Sequence, residues 1–220
     1  MNTFNELNTT ASYLTRPAAD LSTQMTIKEW EHNLCNAELT VKVLERLGYA
    51  VSIVGGALRV AALGGTTQDV DIAVLVDGVD GLSRLENDVH EVLNRVPLCD
   101  EEFRYSHERS YSDSDGFLAD WRSGKVNLIA YNSNCYPTIK SLVDQFDLNI
   151  NQWYVHPTKG MVNDYIEFDN HVVSVIVNPK RDCQGHTLRL ADRIQRFKLI
   201  YPHFNWSKVD VLLNRDGVLV

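Results

Sequence analysis

Two aspartates separated by one residue, Asp69 and Asp71, open an apolar run that continues to Val76. On a strand, alternate side chains share a face, so the two carboxylates point the same way and Val70 faces the core. Two carboxylates on one face suit a divalent cation. Mg²⁺ in phosphate chemistry commonly takes one or two carboxylates plus oxygens of its substrate. Upstream, Gly55-Gly56 lies between an apolar strand, Ala50 to Val54, and a short helix, Ala57 to Leu63, that stops at Gly64-Gly65. Paired glycines let backbone approach a ligand closely. The helix that follows aims unpaired N–H groups and a positive dipole end at an anion. Either fragment alone is usually a loop or a solvated strand edge. Their combination, in the order strand, turn, helix, strand, is far more specific.

Other elements must hold these residues in place. Thr26-Ile27-Lys28-Glu29 is a capping box that opens a helix to about Leu47. Ser83-Arg84-Leu85-Glu86 reads as a second capping box after a turn from Asp77 to Leu82. Its helix runs to about Val96, ahead of Pro97. One strand is expected near Phe103, and Lys125 to Tyr131 alternates as a central strand should. Pro137 starts a helix to about Val143. Phe146 to Ile150 is a strand candidate. Trp153 to Val155 and Gly160 to Val162 form a hairpin. His171 to Val177 is a β-branched strand, Thr187 to Tyr201 a helix, and Ser207 to Asn214 a last short helix. Ser112 to Gly116 has the start of a calcium loop but not its later ligands, so it reads as surface. Mixed strands and helices predict an α/β or α+β fold, a small mixed sheet with helices packed on it. The chain divides into an N-terminal arm (1–25), a core (26–179) and a helical C-terminal extension (180–220).

The stretch from Gly55 to Asp71 resembles the signature of the DNA polymerase β-like nucleotidyltransferase superfamily. It is most similar to the head domain of bacterial poly(A) polymerases and CCA-adding enzymes. That pattern is Gly-Gly-x-Val-Arg-Asp, Leu-Leu-Gly, a polar run and Asp-x-Asp. Gly55, Gly56, Arg59, Leu63, Gly64, Asp69 and Asp71 match it, and Val60 stands where the family has Asp. The resemblance implies transfer of a nucleoside monophosphate from a triphosphate, with pyrophosphate leaving. It implies Mg²⁺, or Mn²⁺ in its place, on Asp69 and Asp71. The acceptor class stays open between an RNA end such as that of tRNA, a protein and a small molecule.

The resemblance extends to later positions. A third carboxylate on a central strand is usual in the superfamily, and the matching position here holds Asn127. A neutral amide can neither neutralise a metal nor take a proton. Asp147, Asn149 and Asn151 resemble the Asp, Thr and Asn of the family's Arg-Arg-Asp-Phe-Thr-x-Asn motif, with Gln145 and Phe146 replacing its arginines. Asp147 and Asn151 are therefore expected at the nucleotide. Arg189, Arg193 and Arg196 recur at helical spacing on one face and resemble the family's arginine-bearing helix. With Lys180, Arg181 and Lys198 they make the most basic region, suited to a triphosphate or an RNA backbone. The family's base-reading Glu-Asp-x-x-Arg has no clear match. The rival reading is a catalytically silent module on the same fold, favoured by Asn127, whereas an intact Asp69-x-Asp71 favours an enzyme.

Composition sets the bounds. Hydrophobic residues are 44% and charged residues 23%, ordinary for a globular chain. No apolar run approaches a membrane span, and residues 1–20 lack a secretory pattern, so a cytoplasmic protein is expected. The net charge of −8 argues against non-specific nucleic-acid binding. Cys35, Cys99, Cys135 and Cys183 have no zinc-ligand spacing and are expected to be reduced.

Overall fold

The computed structural model describes residues 27–95, 103–108, 116–178 and 187–210. Its centre is a seven-stranded mixed sheet in the order β3-β4-β5-β2-β1-β6-β7. The strands are β1 (Ala50–Val54), β2 (Val70–Val76), β3 (Ser106–Glu108), β4 (Phe117–Ser123), β5 (Val126–Asn132), β6 (Tyr154–His156) and β7 (Gly160–Val162). Only the β2–β5 pair is parallel among these; the other neighbours are antiparallel. A separate hairpin pairs β8 (Glu167–Asp169) with β9 (Val172–Ser174). The helices are α1 (Ile27–Arg46), α2 (Gly56–Leu63), α3 (Gly78–Asp88), α4 (Ile139–Val143) and α5 (Thr187–Ile200).

The alternation of β2 builds two different faces. Val70, Ile72, Val74 and Val76 join Val51, Ile53, Trp121 and Leu128 in the main core, with Leu34, Ala37 and Leu44 of α1. Fully burying such a side chain contributes about 1.5–3 kcal/mol. The odd positions turn to the other face. There Ala73 and Leu75 pack with Leu142 and Val143 of the short α4. Asp71 belongs to that second face, at the end of β2 opposite Leu75. A third cluster joins Ile194 and Phe197 of α5, and Tyr201 just after it, to Leu148 and Ile150 of the segment that follows Asp147.

Several elements differ from the sequence-based expectations. Helix α3 begins at Gly78, with Asp77 at its N-cap, so residues 78–82 are helical and Ser83 is no cap. Asp77 precedes one continuous turn-forming run, and packing of Leu85 and Val89 against the core rewards starting early. The helix ends in a π-turn at Val89–Leu93. Strand β4 is a further difference from those expectations: its start is irregular, with a register shift between Phe117 and Ala119. Residues 146–150 form no strand. Leu148 makes one isolated bridge to Val177, and Asn149–Asn151 closes a 3₁₀ turn. Strand pairing from 171 to 177 is confined to Val172–Ser174 and the bridge at Val177. The strand expected near Phe103 is β3, three residues further on. The last helix is seen from Ser207 as far as Asp210. The N-terminal arm, Thr26, the Ser112–Asp115 stretch, Lys180, Arg181, Cys99 and Cys183 lie outside the described residues. Cys35 is disulfide-bonded, which corrects the expectation of reduced thiols at that position, while Cys135 is exposed and not in a disulfide. Among the described residues no helix is long and apolar enough to cross a membrane.

Candidate active site

The site is built where three strand ends meet a glycine turn. Register pairs Asp71 of β2 with Asn127 of β5, and Asn127 with Arg122 of β4. Neighbouring positions in register share a face, so these three side chains stand in a row. Asp69 lies just before β2 and reaches the same row. Asn127 Nδ2 donates to Asp71 Oδ1 at 2.8 Å and to Asp69 Oδ2 at 3.2 Å. On its other side, Asn127 Oδ1 accepts from Arg122 Nε at 2.7 Å. Asn127 is buried and both aspartates are half-buried.

Electrostatics separate the two aspartates. Burial and the neighbouring Asp69 charge push the Asp71 carboxyl up to about 7, against the pull of the Asn127 hydrogen bond and the Arg122 and Arg193 charges. Two carboxylates side by side with little water hold a proton more readily than either would alone.

The glycine turn forms the adjacent wall. Gly55 has φ 70°, in the left-handed region, and caps α2. A Cβ on Gly56 would lie 2.8 Å from Thr67 Oγ1, so the turn is packed against the loop that leads into Asp69. Thr67 Oγ1 in turn donates to the Asp69 carbonyl at 3.2 Å.

Arg59 of α2 is 4% exposed, an unusual degree of burial for a guanidinium. Its nitrogens and its flat face are all occupied by near neighbours. It donates to Asn151 Oδ1, to Tyr201 Oη at 3.1 Å and to the Thr66 carbonyl at 3.5 Å, and its guanidinium lies 4.4 Å from the Phe197 ring centre. From α5, Arg193 pairs with Asp147. Burial, Arg193 and Arg59 all lower the Arg196 proton affinity, and Asp69 opposes them. Arg59, Arg193 and Arg196 thus lie near enough to act on one another, and the charges of Asp69 and Asp71 are felt within the same group.

These groups line one open cavity of about 430 Å³. Gly55, Gly56, Arg59, Asp69 and Asp71 come from the first half of the chain. Asp147, Asn151, Arg193 and Arg196 come from the second. Asn127 stands behind the carboxylates rather than in the cavity wall. The side chain of Arg189 lies outside the described residues. Asn149 turns away, donating to the Tyr165 and Ser174 carbonyls and accepting from Ile176 N. Lys198 also leaves the arginine group, bonding to Asp210. Sequence reasoning missed Arg122, Thr67, Phe197 and Tyr201. Arg122 had a signal: Gly124-Lys125 is a two-residue turn, and Gly124 at φ 56° permits it, which sets Arg122 opposite Asn127.

The donor set suits one Mg²⁺ or Mn²⁺ ion. Asp69 and Asp71 offer hard oxygens in a site whose charge repulsion an ion would relieve. Among the described residues no group of three or more His, Cys, Asp or Glu is arranged to hold a metal.

The fold, a mixed sheet with helices packed on it, is similar to that of solved CCA-adding and tRNA-processing enzymes. A CCA-adding enzyme solved with ATP matches 91% of this chain at 18% identity and a TM-score of 0.52. A tRNA-processing enzyme in an apo form matches 88% at 16% identity and a TM-score of 0.51. The chain spans 46% and 48% of those two structures, less than half of each. No protein-family model and no curated protein sequence matches the chain.

Proposed function

We propose that this protein is a metal-dependent nucleotidyltransferase. It moves a nucleoside monophosphate from a nucleoside triphosphate to an acceptor hydroxyl and releases pyrophosphate. One observation carries the reading: a carboxylate pair, three arginines and a glycine turn line one cavity. That is the charge pattern a triphosphate needs, since phosphoryl transfer is mostly positioning and charge stabilisation. The fold neighbour solved with ATP supports a triphosphate as the ligand.

Asp69 and Asp71 would hold the cation, and its chemistry is to neutralise phosphate charge and favour the hydroxyl's ionised form. Arg193 and Arg196 bind the phosphate tail, with Arg59 fixing the wall behind it. Gly55 and Gly56 let the backbone approach the phosphates. The acceptor oxygen forms a bond to the α-phosphorus, and the bond from that phosphorus to the bridging oxygen breaks. The hydroxyl proton passes to the carboxylate pair and on to water. The acceptor is an RNA end, a protein or a small molecule.

A silent binding module is the second reading. It is favoured by the Asn127 amide, which occupies an oxygen of each carboxylate. Incubation with Mg²⁺, each α-labelled nucleoside triphosphate and mixed RNA and protein acceptors separates the two. Label should move to one acceptor class with wild type and not with Asp69→Asn/Asp71→Asn. Absence of transfer to every acceptor, alongside tight triphosphate binding, selects the silent module.

A further inference from the structure

We infer that Arg122 is a positioning residue that sets the ion capacity of the carboxylate pair at one, by fixing which end of the Asn127 amide faces it. The inference rests on the metal reading of Asp69 and Asp71 and goes beyond it.

A guanidinium has donors only, so the end of Asn127 that meets Arg122 Nε at 2.7 Å must be the carbonyl oxygen. The amide NH₂ is then forced toward the aspartates, where it donates to both. Asn127 is 6% exposed and Arg122 is its register partner, so neither end of the amide has another way to turn. A side chain that would offer an oxygen to a cation in the opposite orientation is held as a donor. It occupies one oxygen of each carboxylate and leaves the other oxygen of each for a cation. The orientation is set from outside the cavity, by a residue that does not line it.

The test uses the full chain and Mn²⁺ alone, followed by electron paramagnetic resonance. Wild type should bind one ion. Arg122→Gln should bind manganese roughly tenfold more tightly, the scale on which outer partners of metal ligands act, because the amide is freed to turn its oxygen inward. In an Asn127→Leu background the same Arg122→Gln change should lose most of that gain, since its effect runs through the amide. Asn127→Asp, which keeps Arg122, should also bind at least roughly tenfold more tightly and carries the test if Arg122→Gln does not fold.

Two ions in wild type would overturn the inference. So would unchanged affinity in Arg122→Gln, unchanged affinity in Asn127→Asp, or a gain that survives intact in the Asn127→Leu background. Each of these outcomes leaves the metal reading standing. Failure of wild type and every variant to bind manganese would overturn both.

Discussion

Arg59, on the helix after the glycine turn, donates to Asn151, on the turn after Asp147, and so joins the two halves of the cavity wall. The bond is buried, and the same guanidinium holds Tyr201, just after α5. Removing it leaves Asn151 Oδ1 without its guanidinium donor, while Tyr201 keeps its bond to the Gly64 carbonyl. Arg59→Met should therefore destabilise the protein by about 2–4 kcal/mol, the cost of losing buried bonds to a charged group. Urea unfolding of wild type and variant measures this. A loss below about 0.5 kcal/mol would mean that Arg59 acts on ligand alone.

The Asp71 carboxyl makes stability pH-dependent in the metal-free protein. Its folded value is raised above the ordinary 3.8 to about 7. The folded state therefore binds more protons than the unfolded state between those values. The linked stability is fully present below pH 4 and is lost as pH rises through 7. Asp71→Asn removes this dependence. In a chelator, the melting temperature of Asp71→Asn minus that of wild type should grow from pH 5 to pH 8. Mg²⁺ at pH 8 should shrink the difference. A gap that stays constant with pH would show that Asp71 is not held in this way.

The glycine turn serves packing as well as ligand. A side chain at Gly56 would meet Thr67 Oγ1, which is bonded to the Asp69 backbone. Gly56→Val should push that loop and displace Asp69 while adding bulk where phosphate approaches. Calorimetry should show triphosphate affinity falling by about tenfold or more, an energy of about 1.4 kcal/mol. Wild-type affinity in a folded Gly56→Val protein would remove the turn from the site.

Arg193 and Arg196 should matter to ligand more than to folding. The Arg193–Asp147 pair is partly exposed, and exposed pairs add little stability. Arg193→Ala/Arg196→Ala should keep its melting temperature within a few degrees of wild type, while triphosphate binding weakens and loses part of its salt dependence. Unaltered binding with unaltered salt dependence would assign the phosphate tail elsewhere.

Much of the cavity was legible because its residues obey local rules. The period-two run of β2 placed Asp71 opposite the core-facing Val70, and paired glycines marked the turn. Asn127 was legible as a position, from the alternation of β5, but its role was not. That role depends on Arg122, and β4 is hard to read because Leu118 precedes the polar positions Asp120 and Arg122 on their face and the register shifts between Phe117 and Ala119. Residues 146–150 misled for the opposite reason. Leu148 and Ile150 alternate like a strand, yet they are buried against α5 rather than across a sheet. Such packing is non-local, and no window of sequence around Leu148 contains Phe197 or Tyr201. The convergence of Arg193 with Asp147 and Asp71 is tertiary in the same sense. Helical spacing put Arg193 and Arg196 on one face but could not say what that face meets.

The proposed function requires the carboxylate pair and the arginines to form a single site for a metal-bound triphosphate. Diffraction from crystals soaked with Mn²⁺ and an unreactive triphosphate analogue tests it most directly. The account predicts an anomalous peak contacting both Asp69 and Asp71, with α-phosphate oxygen on the same ion and the phosphate tail against Arg193 and Arg196. Nucleotide bound elsewhere, or bound in this cavity with no manganese on the carboxylates, would contradict it.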